Sequence, residues 1–252
     1  MATAFVFAFG LAVGSFLNSV IYRLEKGGSL ISERSHCPHC GQVLSWYELI
    51  PLVSFAVQLG RCRTCKRRIS WQYPLVEFSC GLLFLTAYFY LPPYYYGWEL
   101  AYLFFVFASL LAIFVFDLKR YIIPNRILYP LILLTLAHVW WGKGYLPGAY
   151  PVWSALGAAG FFLLLYLVSR GSWIGFGDVK FGVFMGLFLG FPLVLVAFFF
   201  SYVLGALIGG SLLVRKKASL KSQIPFGPFL ITGTGIAYFW GTAIIQWYLN
   251  IF

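Results

Sequence analysis

The sequence predicts an all-α polytopic membrane protein of about eight transmembrane helices, with one small module inserted after the first helix. Three observations carry that reading. Of 252 residues, 61% are hydrophobic and only 10% charged, at a mean hydropathy of +0.85, which excludes a soluble globular domain. The apolar residues fall into runs of spanning length, separated by charged or Gly/Pro-containing breaks. The eighteen Lys and Arg are also sorted, because in the resulting topology all but Lys143 fall on one side. By the positive-inside rule that side is cytoplasmic, and both termini lie outside.

Taken in order, residues 2–22 form the first run, which lacks the basic start and small-residue cleavage site of a removable signal peptide and reads as a retained helix. Its end, Gly14-Ser-Phe-Leu-Asn18, is small and polar in the way that suits helix–helix contact, with packing the main role of Ser15 and Asn18. Residues 23–73 hold eight of the eighteen basic residues and no long apolar run, so they read as an inserted cytoplasmic domain. From Pro74 the runs resume, at 74–92, 98–117, 126–141, 151–169, 179–190, 192–214 and 227–250. The stretch Gly190-Phe-Pro192 admits either a turn between two helices or one kinked segment. The domain reading is therefore a first transmembrane helix at 1–22, the inserted domain at 23–73 and a transmembrane domain at 74–252. The net charge of +11 is met by the anionic lipid leaflet and needs no nucleic acid.

The inserted domain carries Cys37-Pro-His-Cys40 and Cys62-Arg-Thr-Cys65, with twenty-one residues between the pairs. Each Cys-x-x-Cys presents two thiolates from a tight knuckle, and two knuckles complete a closed tetrahedral zinc site of one ion per chain. Disulfides are the alternative, disfavoured by the reducing compartment to which the topology assigns the domain. His36 and His39 stand beside the cluster as bystanders, and Cys80 reads as a packing residue.

The chain has only two aspartates, Asp117 and Asp178, each at the edge of an apolar run. An ionisable group there is expensive to hold, and it defaults to a functional role with a named partner. The topology crosses the membrane twice between them and so returns both to one face, where they form a candidate dyad that shares a proton and activates water. The competing reading makes each an interfacial helix-end charge, Asp117 pairing with Lys119 or Arg120 and Asp178 with Lys180. Gly175 and Gly177 flank Phe176 immediately before Asp178, where side-chain-free backbone could receive an unwound peptide.

These residues together resemble the bacterial type IV prepilin peptidases, membrane aspartic proteases of the Gly-x-Gly-Asp type. The resemblance runs nearly the whole chain. It includes Gly14-Ser-Phe-Leu-Asn18 with Tyr22-Arg23, the paired Cys-x-x-Cys, Trp46-Tyr-Glu-Leu-Ile-Pro51, Arg61-Cys62 and Tyr73-Pro-Leu-Val-Glu77. Beyond these come Asp117 with Ile123-Pro124, Gly175-Phe-Gly-Asp178 with Lys180, and Pro225-Phe-Gly-Pro228. Asn125 departs from the acidic residue that many members carry after the Ile/Leu-Pro.

The resemblance implies catalysis by Asp117 and Asp178, substrate contact at Gly175, Gly177 and Lys180, and zinc on Cys37, Cys40, Cys62 and Cys65. It further implies cleavage of the basic leader of type IV prepilins or type II secretion pseudopilins at the cytoplasmic face of the bacterial inner membrane. N-methylation of the new N-terminal residue with S-adenosylmethionine is implied as a second activity. No glycine-rich nucleotide fingerprint identifies residues for that cofactor. Two other classes stay open from the residues alone: an ion-coupled transporter, which would favour midplane carboxylates and internal repeats, and a zinc-domain membrane scaffold, which would need neither aspartate.

Overall fold

In the computed structural model, which describes residues 1–27, 34–95, 97–141, 150–214 and 224–251, each long apolar run is a helix. These are α1 (Ala2–Lys26), α3 (Gln72–Tyr90), α4 (Trp98–Arg120), α5 (Asn125–Trp141), α6 (Pro151–Ser169), α7 (Phe176–Leu189), α8 (Leu193–Val214) and α9 (Gly227–Leu249). Among its described residues the inserted module adds the short α2 (Val53–Val57) and a 3₁₀ turn at Trp46–Leu49. Five helices, α1, α4, α6, α8 and α9, are long and apolar enough to cross a membrane, and the protein is a membrane protein. At 14 residues α7 is shorter, and ten of its residues are buried, so it is surrounded by protein along most of its length.

Two boundaries differ most from the sequence expectation, and a third place that the sequence left open is resolved. α1 continues past Tyr22 to Lys26, because Arg-Leu-Glu-Lys are good helix formers and Gly27, at φ 74°, supplies the left-handed C-cap. α7 starts at Phe176 rather than at 179, for a reason that lies in the site itself. At Gly190-Phe-Pro192 the chain turns between two separate helices, with Gly190 at φ 67° closing α7 and α8 beginning just after Pro192. Lys143 and 215–223, on which the charge count partly rests, lie outside the described residues.

The chain folds as two compact units, Met1–Ala112 and Ile113–Phe252, with α4 beginning in one and ending in the other. In the first unit α1 packs antiparallel on α3 through glycines. A Cβ at Gly14 would lie 2.6 Å from the Cα of Glu77, and one at Gly10 would lie 2.7 Å from the Cα of Gly81. Hydrocarbon gives apolar helices no hydrophobic reason to associate, so this close backbone approach supplies dispersion instead. Asn18, buried, adds a polar tie by donating to the Tyr73 carbonyl at 3.0 Å and accepting from Gln72 at 3.3 Å. In the second unit α7 packs on α6 and α5, and α8 on α9. A Cβ at Gly182 of α7 would press on the Phe162 ring at 2.7 Å.

Candidate active site and metal centre

Asp117 lies in the last turn of α4 and Asp178 in the first turn of α7, and both are almost fully buried, at 3% and 7% exposure. Each carboxylate is held by the orphan N–H of a helix start. Asp178 Oδ2 accepts from Gly175, the N-cap of its own helix, at 3.0 Å. Asp117 Oδ2 accepts from Gly227, the first residue of α9, at 3.0 Å. The first N–H groups of a helix have no internal partner and carry the positive end of its dipole, so two helix starts here face two carboxylates. The two aspartates lie within electrostatic reach of one another, and Tyr202 of α8 lies within reach of Asp178.

This arrangement explains why α7 begins early. Asp178 occupies the third helical position and reaches back to the N-cap N–H, which stabilises a first turn made of Phe176 and Gly177. Gly175 and Gly177 are thus a cap and a helical residue rather than irregular chain. Gly177 fits against Ile123, where a Cβ would stand 3.2 Å from the Ile123 Cβ. Lys180 does not pair with Asp178. Its ammonium donates to Asn125 Oδ1 at 2.5 Å and sits 5.3 Å from the Phe176 ring and 5.4 Å from the Tyr129 ring. The position at which this sequence carries an amide is therefore an acceptor for that cation.

The four cysteines of the inserted module converge, with all four Sγ atoms within 4.8 Å of one another and all four thiols free. Cys37 Sγ and Cys65 Sγ are 3.9 Å apart. A tetrahedral ion with Zn–S bonds of about 2.3 Å requires S–S edges of about 3.8 Å, so the cluster fits a metal of that class, whereas a disulfide needs about 2.05 Å. The knuckles repeat one design. Cys37 accepts from Gly41 N–H and Cys62 from Lys66 N–H, each at 2.9 Å, with Gly41 at φ 72° and Lys66 at φ 58°. One isolated antiparallel bridge closes each, His36 with Val43 and Arg61 with Arg68. The backbone N–H of Cys65, then that of Thr64 and the Cys37 thiol, bring the Cys62 thiol down to about 7. Cys40, despite a Gln42 backbone hydrogen bond that favours its thiolate, is pushed up to about 11 by desolvation and the neighbouring thiols. Crowded thiols that resist joint ionisation are what a dication relieves. His36 stacks edge-on with Tyr22 and His39 meets Arg67 at 3.3 Å, so neither belongs to the cluster.

Two partners were not legible as such. Gly227 falls inside Pro225-Phe-Gly-Pro228, noted only as a pattern, yet a Cβ there would stand 2.6 Å from Asp117 Oδ2. Glu77, buried on α3, accepts from the Leu52 N–H at 2.8 Å and has no counterpart in a reading that stops at aspartates. The signal for both was the short motif around them, not the residue type.

Comparison with known proteins covers almost the whole chain. A model of the bacterial peptidase A24 N-terminal domain matches residues 8–91, and one of the type IV leader peptidase family matches 103–210. The prepilin leader peptidase/N-methyltransferase of Bacillus subtilis (strain 168) is 36% identical over 98% of this chain and 97% of its own length. Those of Stutzerimonas stutzeri and Pseudomonas aeruginosa are 32% and 30% identical, each over 96% of this chain and 91% of the relative. No solved structure matches. Identity at this level from end to end, together with the matched domains, means that the chain belongs to the type IV leader peptidase family.

Proposed function

We propose that this chain is a membrane aspartic endopeptidase that removes the leader of type IV prepilins or type II secretion pseudopilins at the cytoplasmic face of the inner membrane, and then N-methylates the exposed N-terminal residue. The observation that carries the reading is the convergence of the only two aspartates, each fixed through Oδ2 by a backbone donor. With Oδ2 engaged, Oδ1 is the atom at which each carboxyl exchanges a proton. One aspartate, ionised, takes a proton from the attacking water, while the other, protonated, gives its proton to the scissile carbonyl oxygen. Collapse of the tetrahedral intermediate breaks the C–N bond: the departing amine takes the proton that came from water, and one hydroxyl of the intermediate returns its proton to the second aspartate as C=O re-forms. A transporter reading would want carboxylates near mid-helix, but Asp117 and Asp178 sit in terminal turns.

Gly175, Gly177 and Lys180 border the dyad and are assigned to the substrate side of the site. Cys37, Cys40, Cys62 and Cys65 hold one structural zinc ion, since four thiolates close the tetrahedron and leave no open position for chemistry. S-adenosylmethionine supplies an electrophilic methyl group for the second activity, and no residue is assigned to it. In this reading 1–22 is the first of eight crossings, 23–73 the cytoplasmic zinc domain and 74–252 the protease domain. Purified protein with a synthetic prepilin tests it: Asp117→Asn or Asp178→Asn abolishes leader removal, while methylation of a pre-cleaved peptide persists. Topology has its own check, because an impermeant amine reagent applied from outside should label Lys143; labelling of 34–71 instead would reverse the orientation.

A further inference from the structure

The inserted module contains a stretch, residues 46–59, whose placement does not fit a water-exposed loop. Leu52 N–H donates to Glu77 Oε2 at 2.8 Å, and Ser15 Oγ to the Leu49 carbonyl at 3.5 Å. Glu77 faces Gly14 across the α1–α3 contact, so both ties lie at one level. That level is far from the basic end of α1: Ser15 precedes Arg23 and Lys26, the cations of its last turn, by about 12 and 16 Å of helix rise. A candidate membrane span thus has the 49–52 backbone alongside its middle, well below the charges that mark its interface.

The exposed side chains of the stretch agree with that depth. Trp46 is 78% exposed, Val53 55%, Val57 77% and Leu59 85%. The one charge in 46–59, Glu48, is turned back on the chain, accepting from the Ser45 N–H at 2.9 Å. Leu52 and Leu59 take positive φ, 60° and 50°; at Leu59 this closes α2, with the Leu59 N–H on the Ala56 carbonyl and the Gly60 N–H on the Phe55 carbonyl, and leaves an apolar side chain facing outward. Cations resume at Arg61, with Arg63, Lys66, Arg67 and Arg68 close behind, which suits anionic headgroups. Irregular backbone at membrane depth needs its polar groups met by protein, and Ser15 and Glu77 do this for Leu49 and Leu52.

We propose that residues 46–59 form a re-entrant segment, embedded in the membrane leaflet on the side of the cysteine module, with Val53, Val57 and Leu59 against lipid and Glu77 as the buried acceptor that lets the chain turn there. This goes beyond the peptidase reading and does not depend on the aspartates.

The test places a nitroxide at Val57→Cys or Leu59→Cys in full-length protein, zinc-supplemented so that the cluster thiols are occupied, in nanodiscs of phosphatidylcholine and phosphatidylglycerol. A label at Phe16→Cys on α1 serves as the lipid-facing standard. The expected result is collision with oxygen exceeding collision with a water-soluble nickel chelate at both positions, as at position 16. Nickel exceeding oxygen at either position overturns the proposal, and so does protection from both probes, which would mean a protein surface covers the segment. Glu77→Leu should move the position-57 label toward nickel while zinc content stays unchanged; Glu77→Gln, which keeps an acceptor, should not. If Glu77→Leu fails to fold, the readings in otherwise unchanged protein still decide.

Discussion

The two polar clusters of this chain are assembled by opposite means. Around the cysteines almost every contact is local: each knuckle is closed by a hydrogen bond over four residues, and the same turn is built twice. Around the aspartates one tie is local, Gly175 to Asp178, but the other is not, since Asp117 takes its donor from Gly227, 110 residues away. The cysteine cluster can thus be formed by short segments that a metal ties together, while the aspartates exist as a pair only after α4, α7 and α9 have packed. A substitution at the first should act through folding of the module, and one at the second through chemistry in a folded protein.

The sharpest way to break that contrast is at the dyad. Asp117→Asn and Asp178→Asn should each lower cleavage of a prepilin peptide by about 10⁴-fold, the upper range for a positioned acid or base. Zinc content and thermal stability should hardly change, and the double variant should cost little more than either single one, since the two act as a unit. Near-normal cleavage in either would falsify the dyad.

Next in size is loss of a cluster ligand. Cys65→Ser should take bound zinc from about one equivalent per chain to near zero and open residues 34–71 to protease, because metal binding is folding free energy there. Full zinc retention in each single-cysteine variant would remove the four-ligand assignment.

Smaller, and diagnostic of the long-range contact, is Gly227→Ala. The added methyl would meet Asp117 Oδ2 at 2.6 Å and displace it, which should cut cleavage by about 10²-fold, as for a misplacement of about 1 Å. An unchanged rate would show that the Gly227 N–H does not position the carboxyl.

The smallest effect compares the knuckles directly. Gly41 and Lys66 hold the same left-handed position, where a Cβ costs about 1–2 kcal/mol. Gly41→Ala should therefore lower the module's stability by about 1 kcal/mol, while Lys66→Gly should be neutral or slightly stabilising. Protease protection of zinc-loaded protein reads both, and a marked loss in Lys66→Gly would mean that its side chain, not its backbone, holds the turn.

The all-α membrane architecture was legible because apolar runs and charged breaks are properties of consecutive residues, and the long helices start and end within a few residues of where those breaks lie. The Cys-x-x-Cys knuckles were legible for the same reason: their geometry is set within six residues. The rarity of aspartate singled out two residues, and the donor to Asp178 lies three residues before it at Gly175, but the donor to Asp117 could not be read from its neighbours in sequence. The competing reading, which paired Lys180 with Asp178, followed from their nearness along the chain, whereas at two residues apart in a helix they do not face each other, and Lys180 meets Asn125 instead. The early start of α7 is a local cap between Gly175 and Asp178, but Gly227 over Asp117 and Glu77 under Leu52 were each decided only by tertiary structure. Both of these contacts depend on a backbone N–H that finds its acceptor by the packing of distant segments, and a backbone N–H is the same in nearly every residue, so no residue type announces it.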